Sequence, residues 1–306
     1  MPNTPSTKKV ILVAGPTAVG KTAVAIEIAR SFNTEIISAD SRQCYRELNI
    51  GVARPSIEEL NTVPHHFIAT HSIHEQINAA GFESYALLKA GELFTRHDVI
   101  VMAGGTGLYI KAFLEGLDPV PQIDPLVRDS IRSGYQTHGF TWLNDELQLS
   151  DPLFASTGEM LNPQRMMRAL EVIRSTGRSI ISYQSGPHKH RDFDVIKIGL
   201  ELPRVQLNDR INKRVIQMMA HGQLDEAKDL LPWRDLNALR TVGYAEMFDH
   251  LLGHTTLAQA TDLVAIHTRQ YAKRQMTWFR KDEGYQWFGP SAQSAILDHI
   301  KNSLHQ

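Results

Sequence analysis

This chain of 306 residues holds a single cysteine, Cys44. One thiol excludes an internal disulfide and any cysteine-based zinc site. No run of about 18 apolar residues occurs, so no membrane-spanning helix is expected. The stretch Met1 to Lys9 is polar and lacks the apolar centre of a signal peptide, which makes the cytoplasm the expected compartment. Neither sign of charge is in excess: 32 Lys and Arg face 33 Asp and Glu, for a net charge of −1. Bulk electrostatics therefore neither advertises nor forbids a nucleic-acid partner. Internal repeats and low-complexity tracts are absent. With 42% hydrophobic and 21% charged residues the composition is that of a soluble globular protein. The length suits one large α/β domain with a smaller one beside it.

What is present centres on Gly15-Pro16-Thr17-Ala18-Val19-Gly20-Lys21-Thr22. The apolar run Val10 to Ala14 before it predicts a buried strand, and Val24, Ile28 and Phe32 after it have helical spacing. Strand, glycine-rich turn with G-x-x-x-x-G-K-[ST], then helix is the phosphate-loop arrangement. The glycines let backbone amides turn inward on an anion, and the helix N-terminus adds partial positive charge. Lys21 can reach an outer phosphate and the Thr22 hydroxyl can hold Mg²⁺. Binding of a phosphate or pyrophosphate follows. The reaction does not, because kinases, GTPases, motor ATPases and other transferases share this loop.

Glu35 to Ala39 predicts a second strand, ending at Asp40-Ser41-Arg42-Gln43. Residues just past strand C-termini face the ligand crevice of an open α/β sheet, so Asp40 is placed to approach the loop's ligand; a turn or helix-cap aspartate is the alternative. Pro64-His65-His66 puts two histidines on opposite faces of an extended segment, which argues against a metal pair. After a helical pattern from Phe82 to Phe94, the strand Val99 to Ala103 runs into Gly104-Gly105-Thr106-Gly107. The strand-end aspartate that often helps hold Mg²⁺ in nucleotide hydrolases and kinases is missing here. The glycines would let a substrate approach the backbone, and Thr106 offers a hydroxyl.

From about Pro119 the pattern becomes all-helical. Asp124-Pro125 predicts a capped helix start and Gly139 a stop. A short helix from Trp142 to Leu149 follows, and Asn162-Pro163 opens another that closes at Gly177. On it Arg165 and Arg168 share one side. Residues 121–189 thus read as a helical insertion domain, with 1–120 and 190–306 forming a P-loop α/β core with a parallel sheet. Val195 to Leu200 returns to the sheet. Arg204 to Met219 predicts a helix with Arg210 and Arg214 at i, i+4, suited either to clamping pyrophosphate oxygens or to surface ion pairs. A long helix from about Leu257 to Lys281 carries Arg269, Lys273 and Arg280 on one face and Tyr271, Arg274 and Trp278 on another. Basic side chains interleaved with aromatics suit a nucleic-acid backbone with splayed bases.

Taken in order, these segments resemble the tRNA dimethylallyltransferases (tRNA isopentenyl-pyrophosphate transferases). The resemblance runs through GPTAVGKT at 15–22, ISADSRQ-Y at 37–45, PHH at 64–66, GGTGLYIKAFLEG at 104–116 and QRMMRALEVIRSTG at 164–177. It continues through RINKRV at 210–215, VGYAE at 242–246 and TRQYAKRQMTWFRK at 268–281. Departures are Gly51-Val52-Ala53-Arg54-Pro55, where the family often has G-T-A-K-P, and Leu161-Asn162-Pro163 before the Gln164 helix. The zinc-finger extension of some eukaryotic relatives is absent.

The resemblance implies that N6 of adenosine 37, beside the tRNA anticodon, attacks C1 of dimethylallyl diphosphate and releases diphosphate. Gly15 to Thr22 and Arg210 would hold the diphosphate, a site occupied elsewhere by ATP or another nucleotide, with Mg²⁺ on Thr22. Asp40 would take the N6 proton, and Lys21, Thr22 and Arg214 would act on the leaving group. Contacts to the tRNA anticodon stem-loop would fall on Asp40, Ser41, Arg42, Gln43, Thr106 and Arg128. Further contacts would come from Gln164, Arg165, Met166, Met167 and Arg168, and from Arg240, Thr241, Val242, Gly243, Tyr244 and Ala245. The last set is Lys273, Arg274, Gln275, Met276, Thr277, Trp278, Phe279 and Arg280. A monomer is expected. The competing readings are a P-loop small-molecule kinase, which would not need the basic aromatic helix, and a regulatory nucleotide-binding protein that grips RNA without modifying it. No N-K-x-D occurs to read guanine.

Overall fold

The structure is a computed structural model that describes residues 8–184 and 189–304. Two compact units divide the chain, one of residues 1–115 and 190–306, the other of residues 116–189.

The larger unit is built on a six-stranded, wholly parallel sheet. In chain order its first half runs β1 (Lys9–Ala14), α1 (Lys21–Ser31), β2 (Ile36–Ala39), α2 (Ile57–Thr62), β3 (His65–His66), α3 (Ala79–Phe94), β4 (Val99–Gly104) and α4 (Gly107–Glu115). The strands stand in the order β3-β2-β4-β1, continued by two strands from the second half. β1 lies near the middle, and Val10 to Ala14 are fully buried. A strand covered on both faces reads as an unbroken apolar run, which is why β1 and β4 show no alternation.

The register decides where the site falls. Ala14 and Ala39 both align with Gly104 of the intervening β4, so three parallel strands end in one row. Gly15, Asp40 and Gly105 therefore leave the sheet side by side, at the edge where open α/β sheets bind ligands.

The smaller unit is helical: α5 (Pro125–Ser150), α6 (Pro152–Thr157) and α7 (Pro163–Thr176). Asp124 caps α5 by accepting from the Leu126 amide at 2.8 Å. Gly139, at φ +72° and ψ −160°, is non-helical and divides this span into two helices, the second running to Ser150 as expected. The sequence predicted a stop there because a left-handed glycine usually terminates a helix. Asn162 caps α7, and Gly177 closes it at φ +69°. Ile131, Leu143, Leu147, Phe154, Met166 and Leu170 form this unit's own core.

The chain returns through β5 (Asp194–Leu200), then α8 (Arg204–Ala220), α9 (Gln223–Leu230), α10 (Tyr244–Leu251), α11 (Leu257–Phe279), β6 (Gln286–Phe288) and α12 (Gln293–Leu304). β5 pairs with β1 and β6 with β5, which completes the sheet. The main core joins Ile11, Val13, Ile28, Ile198, Ile211 and Ala272 to Ile296 and Ile300 of α12. Among the described residues no helix is long and apolar enough to cross a membrane.

Candidate active site

The phosphate loop joins β1 to α1. Gly20 sits at φ +109° as the helix cap and Ala18 at φ +63°. Such geometry turns successive amides to one side, which makes an anion nest. Two side chains of α8 hold the loop in place. Arg210 donates to the Val19 carbonyl at 3.0 Å and Arg214 to the Thr17 hydroxyl at 3.2 Å. This arginine pair thus bonds to the loop itself. Lys21 donates to the Pro16 carbonyl at 2.8 Å. Desolvation lowers the pKa of Lys21 to about 8, Asp40 opposes that shift, and Arg214 adds to it.

Asp40 follows β2. Its Oδ1 accepts from the amides of Arg42, at 2.9 Å, and Gln43, at 3.2 Å. The turn-capping role and the cavity-facing role thus coexist, on different oxygens: the described protein hydrogen bonds of Asp40 leave Oδ2 unused.

Two cavities meet at this residue. One, of about 500 Å³, is lined by Thr17, Ala18, Gly20, Lys21, Thr22, Gln43, Arg210 and Arg214. The other, of about 680 Å³, is lined by Ser41, Arg42, Arg234, Arg240, Thr241, Val242, Ala245, His267 and Arg274. Thr17, Asp40, Val52, Ala53, Arg214 and Tyr271 line both. Desolvation, with the Asp40 charge next, pushes the Tyr271 phenol up to about 12, so it stays neutral. A third groove, of about 950 Å³, carries Pro16, Arg204, Arg269, Lys273, Met276 and Arg280. The two faces assigned to α11 thus open on different cavities.

Several residues expected to touch tRNA make contacts within the protein. Gln275, 6% exposed, is a latch: its Oε1 accepts from the Thr17 amide at 2.8 Å and its Nε2 donates to the Gly105 carbonyl at 2.9 Å. The space over Gly105 and Gly107, expected to admit a substrate, is taken by α11, whereas Gly104 lines the first cavity. A Cβ on Gly105 would lie 2.2 Å from Gln275 Nε2, and one on Gly107 2.3 Å from the Trp278 ring. Met166 and Tyr244 are 0% exposed and Phe279 2%, so these side chains are core and are not presented to a partner. Gly15 and Val19 are likewise buried beneath the loop.

Thr106 turns inward, its hydroxyl accepting from the Ser41 amide at 3.1 Å. Gly243, at φ +100°, donates to Glu246 at 2.7 Å. Thr277 is exposed and its hydroxyl donates to the Lys273 carbonyl. In the helical unit Arg128 and Arg168 both pair with Glu171, at 3.3 and 3.1 Å, and Arg165 pairs with Glu159. Gln164 is exposed there and Met167 packs at the edge of the core. His66 meets Glu35 at 2.7 Å.

Residues the sequence reading passed over include Lys213 and Gln217, which line the first cavity. They lie three and seven positions after Arg210, on the same helical face. His267 lies one turn before Tyr271 and bonds Glu246 at 2.5 Å. Arg234, in a connecting loop, left no periodic signal.

The profile of the family described as IPP transferase matches residues 43–282. The chain belongs to the IPP transferase family. It is 45% identical to a tRNA dimethylallyltransferase of Christiangramia forsetii over 96% of this chain and 98% of that one. A tRNA dimethylallyltransferase of Cytophaga hutchinsonii is 42% identical, with 98% of each chain covered. Among solved structures, the tRNA isopentenylpyrophosphate transferase of Bacillus halodurans superposes with a TM-score of 0.72 at 36% identity, covering 97% of both chains. A eukaryotic dimethylallyltransferase described as acting on tRNA gives a TM-score of 0.72 at 25% identity, over 89% of this chain and 69% of that one. This IPP transferase therefore has the parallel α/β fold that its sequence predicted.

Proposed function

We propose that this chain is a tRNA dimethylallyltransferase that moves the dimethylallyl group of dimethylallyl diphosphate to N6 of adenosine 37 in tRNA. The observation that carries the reading is the meeting of two cavities at Asp40, one ringed by the phosphate loop and α8, the other by arginines.

The anion nest, Lys21, Arg210 and Arg214 grip the diphosphate. As C1 departs from its bridging oxygen, negative charge grows on the leaving group, and fixed donors lower that barrier. The described protein hydrogen bonds leave the Thr22 hydroxyl unused at the cavity wall. It fits Mg²⁺, which takes one or two protein oxygens plus substrate phosphates; when bound, the ion neutralises diphosphate charge. The adenine must leave its stack to reach C1, entering through the arginine-lined cavity. The N6–C1 bond forms, the C1–O bond breaks, and diphosphate leaves with the electron pair. The N6 proton passes to Asp40 Oδ2, general-base help typically worth ~10²–10⁴-fold. The exposed side chains Lys273 and Arg280, with Arg274 at the cavity, meet tRNA phosphates. A cytoplasmic monomer is part of the reading.

The test is an incubation of the protein with unmodified tRNA, Mg²⁺ and dimethylallyl diphosphate, followed by nucleoside mass spectrometry. The expected product is adenosine carrying one five-carbon unit. Unmodified adenosine, with ATP consumed to phosphorylate some acceptor instead, would overturn the proposal.

A further inference from the structure

Val52 and Ala53 belong to a loop that the proposed reaction leaves without a role, yet both line the two cavities at once. The loop is braced from several sides. Glu226 of α9 accepts from three successive amides, those of Asn49, Ile50 and Gly51, at 3.1, 2.8 and 2.9 Å. The Tyr244 hydroxyl donates to the same carboxylate at 2.6 Å. Gln43 Nε2 donates to the carbonyls of Val52 and Ala53 at 3.3 and 3.0 Å. The Ala53 amide returns to Ile50 at 2.9 Å.

Ala53 sits at φ +47°, in the left-handed region. There a Cβ meets steric strain that glycine avoids. A methyl group is therefore kept at a position where the backbone favours its removal. Valine, stiff at χ1, stands next to it.

Displacement at C1 places the nucleophile and the leaving oxygen on opposite sides of that carbon. C1 must then lie where the cavities join, and its hydrocarbon substituent leaves across that axis, toward the shared wall. Of the six residues common to both cavities, the aliphatic ones are Val52 and Ala53, with the Tyr271 ring also on the wall. We infer that Val52 and Ala53 are specificity-determining residues that gauge the length of the donor's hydrocarbon chain, admitting five carbons and refusing ten. This rests on the proposed prenyl transfer. Because the loop is pinned, a longer chain cannot push the wall aside.

The test measures kcat/KM for dimethylallyl and geranyl diphosphates with unmodified tRNA, in the wild-type protein and in Ala53→Gly, Val52→Ala and Val52→Thr. Ala53→Gly relaxes the backbone, so folding is not at risk. One methyl group in a pocket commonly discriminates by about tenfold or more. Ala53→Gly and Val52→Ala should each raise the ten-carbon to five-carbon ratio by about that factor. Val52→Thr, which alters polarity but not size, should keep the wild-type ratio. Five-carbon transfer with the same ratio in all four proteins, or a Val52→Thr shift as large as that of Val52→Ala, would overturn the gauge and leave prenyl transfer standing. Absence of five-carbon product from the wild-type protein would instead overturn the reading on which the gauge rests.

Discussion

Replacing Gln275 with leucine isolates the latch between α11 and the phosphate loop. Leucine has nearly the shape of glutamine, so packing is kept while the Thr17 N–H and the Gly105 C=O lose their partner. These bonds close loops of 258 and 170 residues, at 2.8 and 2.9 Å, around a side chain that is 6% exposed. A buried polar group left unpaired costs about 1–3 kcal/mol, so the pair should cost about 2–6 kcal/mol. Against a usual stability of about 5–15 kcal/mol that is a large fraction. With a urea slope of about 2–3 kcal/mol/M, the unfolding midpoint should fall by about 0.7–3 M.

Gln275→Glu supplies the sign. Its carboxylate can accept from Thr17 but opposes the Gly105 carbonyl, whereas the protonated acid can donate as the amide did. The folded-state pKa of the new carboxyl is thus raised. Its stabilisation is present below the ordinary glutamate value of about 4.3 and is lost as pH rises through the folded value. Urea titrations followed by tryptophan fluorescence, together with tRNA binding at several salt concentrations, decide the matter. A wild-type midpoint with weakened tRNA binding would return Gln275 to the RNA surface and refute the latch.

Asp40→Asn keeps an oxygen for the Arg42 and Gln43 amides but removes the base, so kcat should fall ~10²–10⁴-fold with tRNA affinity little changed; normal single-turnover rates would dismiss Asp40. The lowered pKa of Lys21, about 8, means that bound diphosphate should draw a proton onto it. Calorimetry in buffers of different ionisation enthalpy should then show proton uptake near pH 8 and affinity falling at higher pH, and a flat profile would contradict this. Lys273→Ala with Arg280→Ala should weaken tRNA binding and lower the salt slope by about one unit per lost phosphate contact. An unaltered slope would remove that face from the interface. Arg280 also meets Glu201 at 2.8 Å, so Glu201→Gln should leave the slope of the double variant where it was.

The parts of this architecture visible in the sequence are those whose cause is local. β1, β2 and β4 announce themselves as apolar runs because burial on both faces demands it. The phosphate loop is a contiguous motif, and the caps Asp124 and Asn162 act within three residues of themselves. Edge strands β3 and β6, of two and three residues, are too short for any period. Gln275 resembles its exposed neighbours in sequence, since only distant backbone groups make it a latch. The glycines of the 104–107 turn were read as room for a substrate, but at Gly105 and Gly107 side chains of α11 make the close approach. Arg54 shows the same limit. No periodicity shows that its Nη2 donates to the carbonyls of Tyr45, Arg46 and Leu48.

The pairing of β1 has a consequence for biosynthesis. Its neighbours are strands at 99–104 and 194–200, and the turn after it is secured by residue 275. Both partners of β1 follow it in the chain, so during synthesis one edge of this apolar strand stays uncovered until residues 194–199 have been made. Such a nascent strand is a natural client for chaperones.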